Sequence, residues 1–127
     1  MDENSIAKII VNAAYKIHTD LGPGLLESVY ERIIFNELQK QKLMVERQKA
    51  IPITYDNIII KEAFRADVIV EKKVIIELKS VEEISNVHKK QLLTYLRLTN
   101  LKLGLLINFG SVLIKDGIFR IVNELPE

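Results

Sequence analysis

The chain has 127 residues, 48% of them hydrophobic and 28% charged, which suits one globular domain spanning 1–127 and excludes a disordered or fibrous chain. It has no Cys and only two His, His18 and His88, which excludes disulfides, thiolate metal centres, cysteine nucleophiles and a His-rich zinc site, so any metal must be held by oxygen. Lys and Arg total 18 against 17 Asp and Glu, and a net charge of +1 lacks the strong positive field of a nucleic-acid coat protein.

Apolar residues at three- and four-residue steps from Ile6 to Ile17 predict an amphipathic helix over Ser5–Asp20, capped by Asn4 or Ser5. Gly22-Pro23-Gly24 breaks it, and Leu26, Val29, Tyr30, Ile33, Ile34 and Leu38 predict a second helix over Leu25–Lys42. Strand composition follows in Val45–Lys49 and Ile51–Tyr55, bent at Pro52, and Asp56-Asn57 supplies a turn into an extended run from Ile58 to Val70. After Glu71-Lys72-Lys73, the run Val74–Lys79 is apolar and β-branched until its end, which predicts a strand covered on both faces. The spacing of Ile84, Val87, His88, Gln91, Leu92, Tyr95 and Leu98 predicts a third helix over Val81–Thr99, ended by Asn100. Leu103–Phe109 is a further buried strand, and Asp116-Gly117 suggests a two-residue turn joining Val112–Lys115 to Ile118–Val122. The fold class expected is α/β, a mixed sheet flanked by helices in the order α-α-β-β-β-α-β-β. The most apolar stretch, Leu103–Phe109, is far below the ~18 residues of a membrane span, so the expectation is a soluble, cytoplasmic protein.

Side chains alternate along a strand, so Glu77 and Lys79 share a face with Ile75. Two charges at the end of an apolar run are costly unless they line a cleft, pair or bind an ion. Asp67 on the preceding strand can lie across the ladder at roughly 5 Å from Glu77. Carboxylates that close raise each other's pKa, and an oxygen-binding divalent cation such as Mg²⁺ relieves the conflict. The plainer reading of Glu77-x-Lys79 is a solvated pair or an edge-strand charge, though the apolar strand argues against an edge. On the third helix, Gln91 falls near the middle of the apolar stripe with Tyr95 at i+4, so its amide needs an interior partner; a core Gln–Tyr hydrogen-bonded pair is the simpler account. Glu27 lies in the first turn of the second helix, where a carboxylate is favourable in any case. Lys40, Lys42, Arg47 and Lys49 form a loose basic cluster, a solvated surface or a phosphate contact.

Taken together, Gly24-x-x-Glu27-x-x-Tyr30, Arg65-x-Asp67, Glu77-x-Lys79 and Gln91-x-x-x-Tyr95 resemble the GxxExxY protein family. That family is similar to the PD-(D/E)xK nuclease superfamily with its restriction-endonuclease-like, three-layer fold. One departure is Ala66 before Asp67, where the signature has Pro. The resemblance implies a metal-dependent nuclease acting on nucleic acid, DNA ahead of RNA. Asp67 and Glu77 would hold Mg²⁺ or Mn²⁺, with the Leu78 carbonyl as a further ligand and Glu27 as a direct or water-mediated one. Lys79 would orient or activate the attacking water, and Gln91 and Tyr95 would support the site or touch the nucleic-acid backbone. The competing expectation is a non-catalytic interaction module that keeps the fold. A small domain of low net charge also leaves room for a second copy of the chain or a targeting protein as partner.

Overall fold

The computed structural model describes residues 1–125. Its elements are α1 (Glu3–Leu21), α2 (Glu27–Lys40), β1 (Val45–Tyr55), β2 (Ile58–Val70), β3 (Val74–Lys79), α3 (Asn86–Thr99), β4 (Leu103–Asn108), a short 3₁₀ helix (Ile114–Gly117) and β5 (Ile118–Val122). The strands form one mixed sheet in the order β1-β2-β3-β4-β5, in which β3 and β4 run parallel and the other neighbours antiparallel. A parallel pair needs a long crossover, and α3 is that crossover. This is the α/β sheet flanked by helices that the element order predicts.

Burial follows the alternation of β3. Val74, Ile76 and Leu78 enter a core with Ile6, Ile10 and Ala14 of α1 and Tyr30, Ile34 and Leu38 of α2. Ile75 faces the other way, into a smaller cluster with Leu92 and Leu96 of α3 and Leu106 of β4. A strand buried on both faces has no use for polar residues in its middle, which is why Val74–Ile76 is uninterrupted and charge enters only at Glu77 and Lys79.

The boundaries differ from expectation where local bonds decide them. Asp2, not Asn4 or Ser5, caps α1, its carboxylate accepting the Ser5 N–H at 2.8 Å. The second helix is tighter at both ends than Leu25–Lys42. The third begins at Asn86 rather than Val81, because the buried Asn108 carboxamide holds the Val81 backbone at 3.0 and 2.9 Å and keeps residues 80–85 out of the helix. Ser85 then caps α3 with His88, whose Nδ1 accepts the Ser85 N–H at 3.3 Å. The close approach needs Gly110, where a Cβ would overlap the Val81 carbonyl. The hairpin turn expected at Asp116-Gly117 is absent from the described residues. Val112–Lys115 forms no strand, and the 3₁₀ turn instead carries Ile114 into the α1/α2 core. β5 pairs directly with β4 from Ile118↔Ile107 to Val122↔Leu103. No helix among the described residues is long and apolar enough to cross a membrane.

Candidate active site

The sheet forks at Asp67. β2 pairs with β3 only from Val70↔Val74 to Val68↔Ile76, then leaves it to continue with β1 as a two-stranded ribbon as far as Tyr55↔Ile58. β3 stays paired with β4 up to Lys79↔Asn108. The face alternation of β2 slips by one at the same place, since Ala66 and Ile69 both belong to the α3-side cluster while Val68 belongs to the other. Beyond the fork the Leu78 N–H has no ladder partner on β2, and a buried N–H must find one. Asp67 Oδ2 accepts it at 2.9 Å. The Asp67 carboxylate thus fills the notch where β2 and β3 separate.

Glu77 lies beside it. The alternation of β3 puts Ile75, Glu77 and Lys79 on the α3 face, and α3 packs over Ile75. Glu77 Oε1 is buried and has no hydrogen-bond partner among the described residues. Burial first, then the charge of the adjacent Asp67 carboxylate, push the Glu77 carboxyl up to about 9, and the Lys79 ammonium pulls weakly the other way. Tyr95 reaches the same notch from α3, its ring stacked on Phe64 of β2 at 3.8 Å between centroids. Its hydroxyl is raised above the usual range by burial first and then by the charges of Glu77 and Asp67.

On the α2 side, Glu27, Ser28, Glu31, Gln48, Asp67 and Leu78 line a cleft of about 410 Å³. A larger hollow of about 690 Å³ adjoins it, lined by residues 23–28, Ser80, Val81 and Gly110, and shares Glu27 and Ser28 with the cleft. The loop entering α2 is fastened to the end of β3: Ser80 Oγ donates to the Leu25 carbonyl at 2.6 Å, and Glu27 Oε2 accepts the Ser80 N–H at 3.4 Å. Tyr30 locks the same loop from below. Its hydroxyl donates to the Gly22 carbonyl at 2.6 Å and accepts the Leu25 N–H at 3.2 Å, while its ring stacks on Phe109 at 4.4 Å. Gly22 and Gly24 take φ of 72° and 109°, values that favour glycine, so Gly24, Glu27 and Tyr30 form one structural unit that holds a carboxylate at the cleft.

Two residues with no motif to announce them belong here. Glu31 follows Glu27 by one helical turn and is buried, at 8% exposure. Burial is the first cause of its raised pKa; the nearby Asp67 charge adds to it. Gln48 donates its amide to Glu31 Oε1 and approaches Asp67 Oδ1 at 3.5 Å. The i,i+4 spacing of Glu27 and Glu31 is a signal available in sequence. Nothing in the Arg47-Gln48-Lys49 string marks Gln48, because it is the pairing register that sets it opposite Asp67, between Arg47↔Val68 and Lys49↔Ala66.

The sequence-predicted residues divide accordingly. Glu77, Lys79 and Tyr95 meet the fork from the α3 side, Asp67 fills the notch itself and lines the cleft on the α2 side, and Glu27 lies in that same cleft. Gln91 does not occupy the interior. It is exposed on α3, one turn before Tyr95, and needs no interior partner, because the covered face of the helix is carried by Leu92 and Leu96. The basic cluster is largely spent on neighbours: Lys40 pairs with Glu37 at 3.5 Å, Lys49 with Glu46 at 3.3 Å and Arg47 with Glu31 at 3.8 Å.

The donor set suits a hard divalent cation. A buried carboxylate oxygen without a donor, next to a second carboxylate, is a group that a bound cation stabilises. Both groups are oxygen ligands of the kind Mg²⁺ and Mn²⁺ prefer. No three Asp, Glu or His side chains among the described residues converge to share one ion, so the fit rests on the Asp67 and Glu77 carboxylates. No curated protein and no solved structure matches the chain. The family model of the PD-(D/E)XK nuclease superfamily does match, over residues 4–121, and the chain belongs to that superfamily.

Proposed function

We propose that this domain is a metal-dependent nuclease that hydrolyses phosphodiester bonds of nucleic acid, DNA ahead of RNA, in the manner of the GxxExxY group. The observation that carries the reading is Glu77 Oε1, buried without a partner beside Asp67 at the fork of β2 and β3. Asp67 and Glu77 would hold Mg²⁺ or Mn²⁺, with the Leu78 carbonyl completing the set and Glu27 reaching it through water. When bound, the ion supplies Lewis-acid stabilisation of charge on the phosphate oxygens. Lys79, on the same strand face as Glu77, orients the attacking water and places a fixed positive charge where anionic charge develops. A unit charge pair about 4 Å apart is worth roughly 4 kcal/mol at an effective dielectric of 20, enough to matter to a rate. Tyr95 would support the pair from α3, and Gln91, exposed on the same helix, would touch the nucleic-acid backbone. Tyr30 and Gly24 support membership of the GxxExxY group, since their shared loop is what presents Glu27.

The experiment is incubation of wild type, Asp67→Asn and Lys79→Ala with linear DNA, circular DNA and RNA in Mg²⁺ or Mn²⁺. Cleavage by wild type that chelation stops and both variants lose supports the reading. Equal background in all three proteins overturns it in favour of a non-catalytic module.

A further inference from the structure

Within the pairing of β1 and β2, Gln48 stands at φ 52°, in the left-handed region, although it is neither glycine nor asparagine. Such a backbone is strained for a side-chain-bearing residue and persists where the surroundings demand it. Both its backbone and its side chain are held here, the carbonyl accepting a hydrogen bond from Arg65 Nη1 at 3.2 Å. The Gln48 amide nitrogen donates to Glu31 Oε1 and approaches Asp67 Oδ1 at 3.5 Å, so one NH₂ group spans two carboxylates. Asp67 Oδ2 is already taken by the Leu78 N–H at 2.9 Å. Asp67 Oδ2 therefore faces the fixed N–H of β3 and Oδ1 faces the amide of Gln48, an exposed residue tied down through Glu31, and the two together orient the carboxylate plane. Glu31 in turn is buried and fixed on α2, with the Arg47 guanidinium at 3.8 Å as its other partner.

We infer that Gln48, anchored by Glu31, is a positioning residue that sets the Asp67 carboxylate in its cation-holding orientation and couples α2 to the fork. This deepens the nuclease reading and rests on it for the cation alone. Outer hydrogen bonds of this kind commonly govern metal affinity by roughly 10–100-fold.

Glycine suits φ 52° and lacks the amide, so Gln48→Gly separates backbone from side chain. In the metal-free protein, hydrogen exchange at the Leu78 N–H reports whether Asp67 still holds its place, with the Ile76 N–H as internal reference. The inference predicts faster exchange at Leu78 in Gln48→Gly, unchanged exchange at Ile76 and a thermal midpoint no lower than wild type. Glu31→Leu should loosen Leu78 in the same way. Glu31→Gln keeps an oxygen that can accept the Gln48 amide and should restore wild-type exchange. With Mn²⁺ added, Gln48→Gly should bind the ion roughly 10–100-fold more weakly and lower kcat with KM for nucleic acid unchanged. Leu78 exchange in Gln48→Gly equal to wild type overturns the inference whatever the metal does. A wild type that binds no Mn²⁺ while Gln48→Gly still loosens Leu78 overturns the nuclease reading and leaves the positioning role in place.

Discussion

On one face of the sheet, α1 and α2 close over Val68, Val70, Val74, Ile76 and Leu78 and continue across to Leu103, Leu105 and Ile107. On the other face, α3 alone covers Ile69, Ile75 and Leu106 and leaves Glu77 and Lys79 half-buried at its margin. The difference shows how a chain of this size carries a charged site without losing its core. The doubly covered face is apolar and supplies the hydrophobic stabilisation, at about 25 cal/mol per Å² of apolar surface removed from water. The singly covered face ends where β2 and β3 part, and there the ladder leaves an N–H that a carboxylate can satisfy. On that face Glu77 and Lys79 stand at the margin, while Asp67, Glu27 and the buried Glu31 line the cleft on the α2 side.

The sharpest way to break the comparison is to exchange the consequences of substitution on the two faces. Ile76→Ala, on the face of α1 and α2, should cost about 2–5 kcal/mol in urea unfolding while leaving the geometry at the fork in place. Lys79→Met, on the other face, keeps the stem of the side chain. It should lower the cleavage rate by about 10²–10³-fold with little change in unfolding free energy. If Lys79→Met instead unfolds the protein as readily as Ile76→Ala, the two faces do not divide stability from chemistry.

A smaller effect is the pH dependence of stability. The Glu77 carboxyl is raised from 4.5 to about 9 in the folded chain, so between those values the native state holds a proton that the unfolded state has released. The contribution is therefore fully present below pH 4.5 and is lost as pH rises toward 9, with a slope of at most about 1.4 kcal/mol per pH unit. The raised Glu31 carboxyl acts in the same direction. Glu77→Gln imitates the protonated form, and urea titrations across this window should show a flatter profile for it than for wild type. The smallest effect expected is that of Tyr30→Phe, which removes the hydroxyl bridging Gly22 and Leu25 and leaves the stacked ring in place. It should cost about 1 kcal/mol and show as greater exposure of the Gly24 loop to proteolysis.

Much of the frame was legible because its signals are periodic. β2 and β3 begin and end where composition puts them, Asn100 ends α3 in a left-handed conformation at φ 57°, and both faces of β3 are covered as its unbroken apolar run implies. The misreadings lie where a distant group outweighed a local pattern. Asn108 holds Val81 out of a helix that the Ile84–Leu98 spacing would have extended, and Ile114 turns inward rather than forming half of a hairpin. At the site, strand alternation put Glu77 and Lys79 on one face and one short connection brought Asp67 near them, but the ladder expected to set Asp67 across from Glu77 stops at Val68↔Ile76. Gln91 could not be placed, since a polar residue beside an apolar stripe can sit on either side of its edge. Gln48 left no trace in sequence, because its strained backbone and its place opposite Asp67 are properties of the assembled sheet.

The central claim is that Asp67 and Glu77 together hold a divalent cation at the fork. It is tested most directly by titrating Mn²⁺ into the protein at pH 7 by calorimetry in two buffers of different ionisation heat. Metal binding requires both carboxylates ionised, whereas Glu77, with its carboxyl near 9, enters the titration protonated. The account predicts one ion per chain, release of close to one proton on binding, and loss of both in Glu77→Gln. Absence of binding, or binding that releases no proton and survives Glu77→Gln unchanged, would contradict it.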